Sequence, residues 1–73
     1  MTATWTNLAD AGLTFGDEFM YHGYARKAPK LVGRRVRIER RGTDSQAFNL
    51  VDAETGVKVE HATSLKRAMW WVA

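Results

Sequence analysis

The chain has 73 residues, a formal charge of +3, 45% hydrophobic and 26% charged residues, and no cysteine. That suits one small domain over residues 1–73, is too apolar for a disordered chain, and excludes a disulfide scaffold or a thiolate zinc site. No apolar run approaches the roughly 18–20 residues of a spanning helix, and the N-terminus lacks a signal-peptide plan, so a cytoplasmic protein with no membrane partner is expected.

The first block, residues 1–25, carries Asp10, Asp17 and Glu18 without a Lys or Arg, a net −3. Thr6 to Ala11 suits one or two helical turns stopped by Gly12. Phe15, Phe19, Met20, Tyr21 and Tyr24 follow without a clean period, and Glu18 to Arg26 reads as either a strand or a short helix before Pro29 ends it. Residues 1–30 are thus expected to be an acidic, aromatic segment, a short helix followed by extended chain.

The second block reverses the charge. Residues 26–41 hold Arg26, Lys27, Lys30, Arg34, Arg35, Arg37, Arg40 and Arg41 against Glu39 alone, a net +7. From about Gly33 to Arg41, Val36 and Ile38 alternate with Arg35, Arg37 and Glu39, the period of a half-buried strand.

The third block, residues 42–73, is net −1. After the polar loop Gly42–Ser45, Phe48 and Leu50 alternate with Asn49 and Val51, and Val57 and Val59 with Lys58 and Glu60. Between them Asp52 suits the opening of a turn, and Gly56 supplies the positive φ at which such loops close. Leu65, Ala68, Met69 and Val72 recur at i, i+3, i+4 and i+7, the stripe of a helix from about Ser64 to the end, capped by Thr63 or Ser64.

The expected fold class is therefore α+β. Residues 33–73 form a βββα core, a three-stranded antiparallel meander packed against a C-terminal helix. Val36, Ile38, Phe48, Leu50, Val57 and Val59 would face the helix. Arg35, Arg37, Glu39, Asn49, Val51, Lys58 and Glu60 would face out.

Little in the chain suggests catalysis. His22 and His61 have no nearby ligand set, and structural roles suit both, with His61 on the inward parity at a strand end. No nucleophile elbow, phosphate loop or dinucleotide fingerprint occurs, and adjacent Asp17 and Glu18 point apart. No enzyme activity, metal or cofactor is expected. The remaining signals are the cations and the tryptophans. Trp70 and Trp71 lie about 100° apart on a helix, so at most one enters the core, and an outward one would anchor a partner.

The stretch from Arg34 to the end resembles the small arm-type DNA-binding domain at the N-terminus of phage and transposon tyrosine integrases. The elements that carry this are the basic strand Arg34-Arg35-Val36-Arg37-Ile38, the strand Phe48-Asn49-Leu50-Val51 with its turn Asp52-Ala53-Glu54-Thr55-Gly56, and Thr63-Ser64-Leu65-Lys66-Arg67-Ala68. The whole chain also looks like a small basic bacteriophage protein. The resemblance implies a three-stranded sheet on a helix, with the sheet inserted in the major groove.

The expected function is a small basic binding module for nucleic acid, DNA in the first place. Arg35, Arg37, Asn49 and Lys58 would meet base edges or the groove; Arg34, Arg40, Arg41, Lys66 and Arg67 would meet phosphates. The alternative is a phage-type protein that binds an acidic host protein through exposed aromatics and the Arg block. A free sheet edge and an exposed aromatic patch leave room for a homodimer.

Overall fold

The structure is a computed structural model describing residues 2–43 and 45–73. Six strands make one antiparallel sheet: β1 (Thr4–Asn7), β2 (Glu18–Tyr21), β3 (Arg34–Arg40), β4 (Phe48–Asp52), β5 (Lys58–Ala62) and β6 (Met69–Val72). Their order across the sheet is β1-β6-β2-β3-β4-β5. The described residues contain no helix, so the α+β expectation is corrected to all-β.

The predicted C-terminal helix is β6. Ser64 does start a turn, accepting the N–H of Lys66 on its hydroxyl and those of Arg67 and Ala68 on its carbonyl. The turn goes no further, because Met69-Trp70-Trp71-Val72 is aromatic and β-branched and its alternate residues solve the burial problem better. As a strand it sends Trp70 into the core and Trp71 to the other face. It pairs with Thr4–Asn7 on one side, and Val72 sits opposite Tyr21 on the other. The helix implied by the integrase resemblance is likewise replaced by this strand.

The N-terminal segment is also corrected. Thr4-Trp5-Thr6-Asn7, rich in strand-forming residues, is β1 rather than part of a helix. Only one helix-like turn survives after it, closed by Gly12 N–H to Ala9 O and Leu13 N–H to Leu8 O, with Gly12 at φ +77°. Residues 1–30 thus contribute β1 and β2 to the sheet instead of a separate layer.

The meander of β3, β4 and β5 is present as one half of the larger sheet. Its first hairpin pairs Ile38 with Leu50 and Arg37 with Val51. In the next, Asp52 Oδ1 accepts the N–H groups of Glu54 and Thr55, and Gly56 takes φ +74°. A bulge then shifts β5: Leu50 faces Glu60 while Val51 faces Lys58, so Val59 is the extra residue. The bulge corrects two expected positions: Glu60 joins the inward parity, and His61 lies exposed opposite Asn49. Val57, also expected to face inward, lies exposed in the turn before β5 begins.

The core shows why the sheet curls. Leu8, Phe19, Tyr21, Val36, Ile38, Phe48, Leu50 and Trp70 form one buried cluster. The Phe48 ring on β4 meets the Trp70 ring on β6 edge-on at 6.4 Å, although β2 and β3 lie between those strands. A flat sheet of this size has one bare apolar face. Curling it buries each of these large side chains, at about 1.5–3 kcal/mol apiece.

Candidate functional site

Strand alternation sends Glu18 and Met20 of β2, Arg35, Arg37 and Glu39 of β3, and Asn49 of β4 to the outer, convex face. The arginines meet the chain's own carboxylates there. Arg37 makes two hydrogen bonds to Glu39 Oε2, from Nε at 3.0 Å and from an Nη at 2.7 Å, and lies 4.0 Å from Glu18. Its side chain is only 35% exposed. Arg35 stands 3.6 Å from Glu18 with 59% of its side chain exposed, and Arg34 stands 3.7 Å from Asp52 with 57% exposed. Contacts so long and so exposed are weak and exchange readily for another anion. Arg37 is committed; Arg34 and Arg35 are loosely held.

The other predicted residues scatter. Arg40 lies over the Phe15 ring at 4.1 Å, a cation–π contact, and reaches Ser45 O at 3.4 Å. Arg41 is exposed in the β3–β4 loop, and Lys66 and Arg67 are exposed in the β5–β6 turn. These four sit at the end of the sheet where Arg40 pairs with Phe48 and Phe48 with Ala62. Arg34 and Arg35 are at the opposite end. Asn49 is half-buried beside Glu39 and His61, and Lys58 lies on the β5 edge. The predicted set is therefore not one site. Trp70 is 4% exposed and packed against Tyr21 and Phe48, which removes it as a partner contact. Trp71 is half-buried on the outer face, its ring 5.4 Å from that of Trp5.

The cations that do come together include three that sequence reasoning placed in the basic block but assigned to no site. Arg26, Lys27 and Lys30 are exposed on the β2–β3 connection, at the same end as Arg34 and Arg35. From Phe19 to Ile38 the chain has six cations and no carboxylate, the signal that could have found them.

The connection is anchored at both ends. His22 N–H donates to Trp71 O, and Lys30 N–H donates to His22 O at 2.6 Å. The buried His22 ring lies 2.8 Å through Nδ1 from Lys30 O. A carbonyl only accepts, so Nδ1 carries a proton, while Nε2 has no hydrogen-bond partner among the described residues. Nε2 lies against Gly33, where a Cβ would come within 2.5 Å of it. Trp71 holds the near side of the loop, its main-chain N–H on Gly23 O and its indole N–H on Ala25 O, so Arg26 leaves from a fixed point.

Beyond Lys30 the loop is bare and apolar. Leu31 is 99% exposed and Val32 84%. Leu31 rims a cleft of about 230 Å3 lined with Ala3, Met20 and His22, while Val32 rims one of about 190 Å3 beside Tyr21, Arg34 and Val59.

Among the described residues no three His, Asp or Glu side chains gather as a metal would require, and no helix is long and apolar enough to cross a membrane. Comparison with known proteins returns no matching family model, no matching curated sequence and no matching solved structure.

Proposed function

We propose that this protein is a small cytoplasmic nucleic-acid-binding module that works through the β2–β3 end of its sheet. One observation carries the reading. Arg26, Lys27, Lys30, Arg34 and Arg35 cluster at one end, all exposed, and none makes a hydrogen-bonded ion pair among the described residues. Phosphate neutralisation by such a cluster releases counterions, which supplies affinity without any sequence readout.

The mode of contact differs from the one expected of a flat sheet. The sheet curls around its core rather than lying flat, and Arg26, Lys27 and Lys30 are carried by the exposed β2–β3 connection instead of the sheet face. A projecting loop meets a duplex where the sheet face does not. The outer face itself is also poorly suited, because Glu18 and Glu39 share it with Arg35 and Arg37.

The test is fluorescence anisotropy with labelled oligonucleotides over a salt series. The variant Arg26→Gln/Lys27→Gln/Lys30→Gln is expected to weaken binding at least tenfold at low salt, and Arg37→Gln to leave it nearly unchanged. Equal affinities for wild type and the triple variant would overturn the proposal.

An acidic protein partner is the second reading, favoured by the bare aliphatic pair Leu31 and Val32 beside the same cations. A protein complex that survives nuclease treatment and is lost in the triple variant would favour it.

A further inference from the structure

Resting on the nucleic-acid reading, we infer that Leu31 and Val32 form an apolar wedge that opens a base step of duplex DNA while the surrounding cations hold the phosphates. Two adjacent aliphatic side chains at 99% and 84% exposure have no role in this protein's own core. They rim different clefts, one beside the outward-facing Met20 and the other beside the inward-facing Tyr21, so together they present apolar surface toward both faces of the sheet. An opened base step offers an apolar surface on each of two sides, and aliphatic wedges of this size are what such steps accept.

The charge layout matches. Lys30 directly precedes the pair and Arg34 and Arg35 follow it after Gly33, while Arg26 and Lys27 stand on the other limb of the loop. Backbone phosphates flank a base step on both strands, so cations are needed on both sides of the wedge. The loop base is tied down at both ends, by His22 to Lys30 and by Trp71 to Gly23 and Ala25. A membrane surface is a poorer match, since two aliphatic residues bury little in a bilayer interface compared with an amphipathic face.

The experiment uses a duplex with 2-aminopurine at a central TA step, where unstacking raises fluorescence and costs least. Wild type is expected to raise that fluorescence. Leu31→Ser/Val32→Ser should abolish the rise and weaken duplex binding roughly tenfold, while leaving the salt slope unchanged because the cations remain. Folding of the variant is checked by its thermal melt, which such exposed positions should not move. Salt-dependent binding with no fluorescence rise, equal for both proteins, would overturn the wedge and leave the nucleic-acid reading standing. No binding to any oligonucleotide would overturn both. Binding to vesicles of anionic lipid that is lost in the double variant, with no 2-aminopurine response, would replace the wedge with a membrane contact.

Discussion

The Tyr21 hydroxyl on β2 donates to Glu60 Oε2 on β5 at 3.1 Å, across two intervening strands and 39 residues of sequence. The bond exists only because the sheet curls and because the bulge turns Glu60 inward. Burial, followed by the neighbouring Glu60 charge and the hydrogen bond to it, raises the Tyr21 pKa well above its ordinary value of 10.0.

The sign of the alkaline response follows. A phenol whose pKa is raised by folding contributes stability that is complete below pH 10 and is lost as the pH climbs from there toward the folded-state value. Wild type should therefore lose stability above about pH 10 in urea titrations. Tyr21→Phe should cost about 1–2 kcal/mol at neutral pH, the loss of a hydrogen bond to a carboxylate, and should flatten that alkaline decline. A decline of undiminished slope in the variant would assign it to other groups.

Asp52 gives the opposite dependence. The N–H groups of Thr55 and Glu54, with Arg34 adding a smaller contribution, hold its carboxyl below the usual aspartate value of 3.8. Its contribution is complete above that value and disappears as the pH falls through the folded-state pKa. Asp52→Asn should lower the melting temperature at pH 7 and shrink the gap between the pH 7 and pH 3 melting temperatures. Loosening the turn should also speed amide exchange at Glu54 and Thr55.

Gly33 is required by its neighbour. A methyl there would lie 2.5 Å from Nε2 and 2.7 Å from Cε1 of a His22 ring that is buried and tied to Lys30 O. Gly33→Ala should cost roughly 1–3 kcal/mol, the usual range for overpacking. His22→Ala/Gly33→Ala should cost less than the sum of its single variants, because the clash is shared between the two positions. Additive costs in chemical denaturation would argue that the two residues do not press on each other.

The salt response should separate the two ends of the sheet. With about five phosphate contacts at the β2–β3 end, log affinity for duplex should fall with log salt with a slope near −4 to −5. Neutralising Arg26, Lys27 and Lys30 should reduce the slope by roughly 3. Neutralising Lys66 and Arg67, at the far end, should leave it in place.

The course of the strands from Arg34 to Glu60 was legible because its information is local, but the bulge at Val59 that sets the faces of β5 was not. Val36 and Ile38 alternate with charge, and Asp52 and Gly56 carry their turn chemistry within five residues. The last strand was not, because its apolar residues satisfy two periods at once. Leu65, Ala68, Met69 and Val72 fit a helix, while Ala68, Trp70 and Val72 fit a strand. The choice is made by Thr4–Asn7, a pairing partner more than sixty residues away. The candidate site was legible as a basic stretch but not as a surface. Glu18 reaches Arg35 from the strand on one side and Asp52 reaches Arg34 from the strand on the other, so which guanidiniums stay available depends on register.

Composition and order along the chain thus determined by themselves that this is a small, cysteine-free chain with its cations concentrated in one stretch and a meander following from it. Tertiary structure alone decided that both termini are strands, that Glu60 and Trp70 turn inward, and that Arg26, Lys27 and Lys30 gather with Arg34 and Arg35 at one end. Turns and alternation are set by interactions between near neighbours. Strand partnership, curl and ion pairing are set by contacts whose energy exists only once distant segments meet.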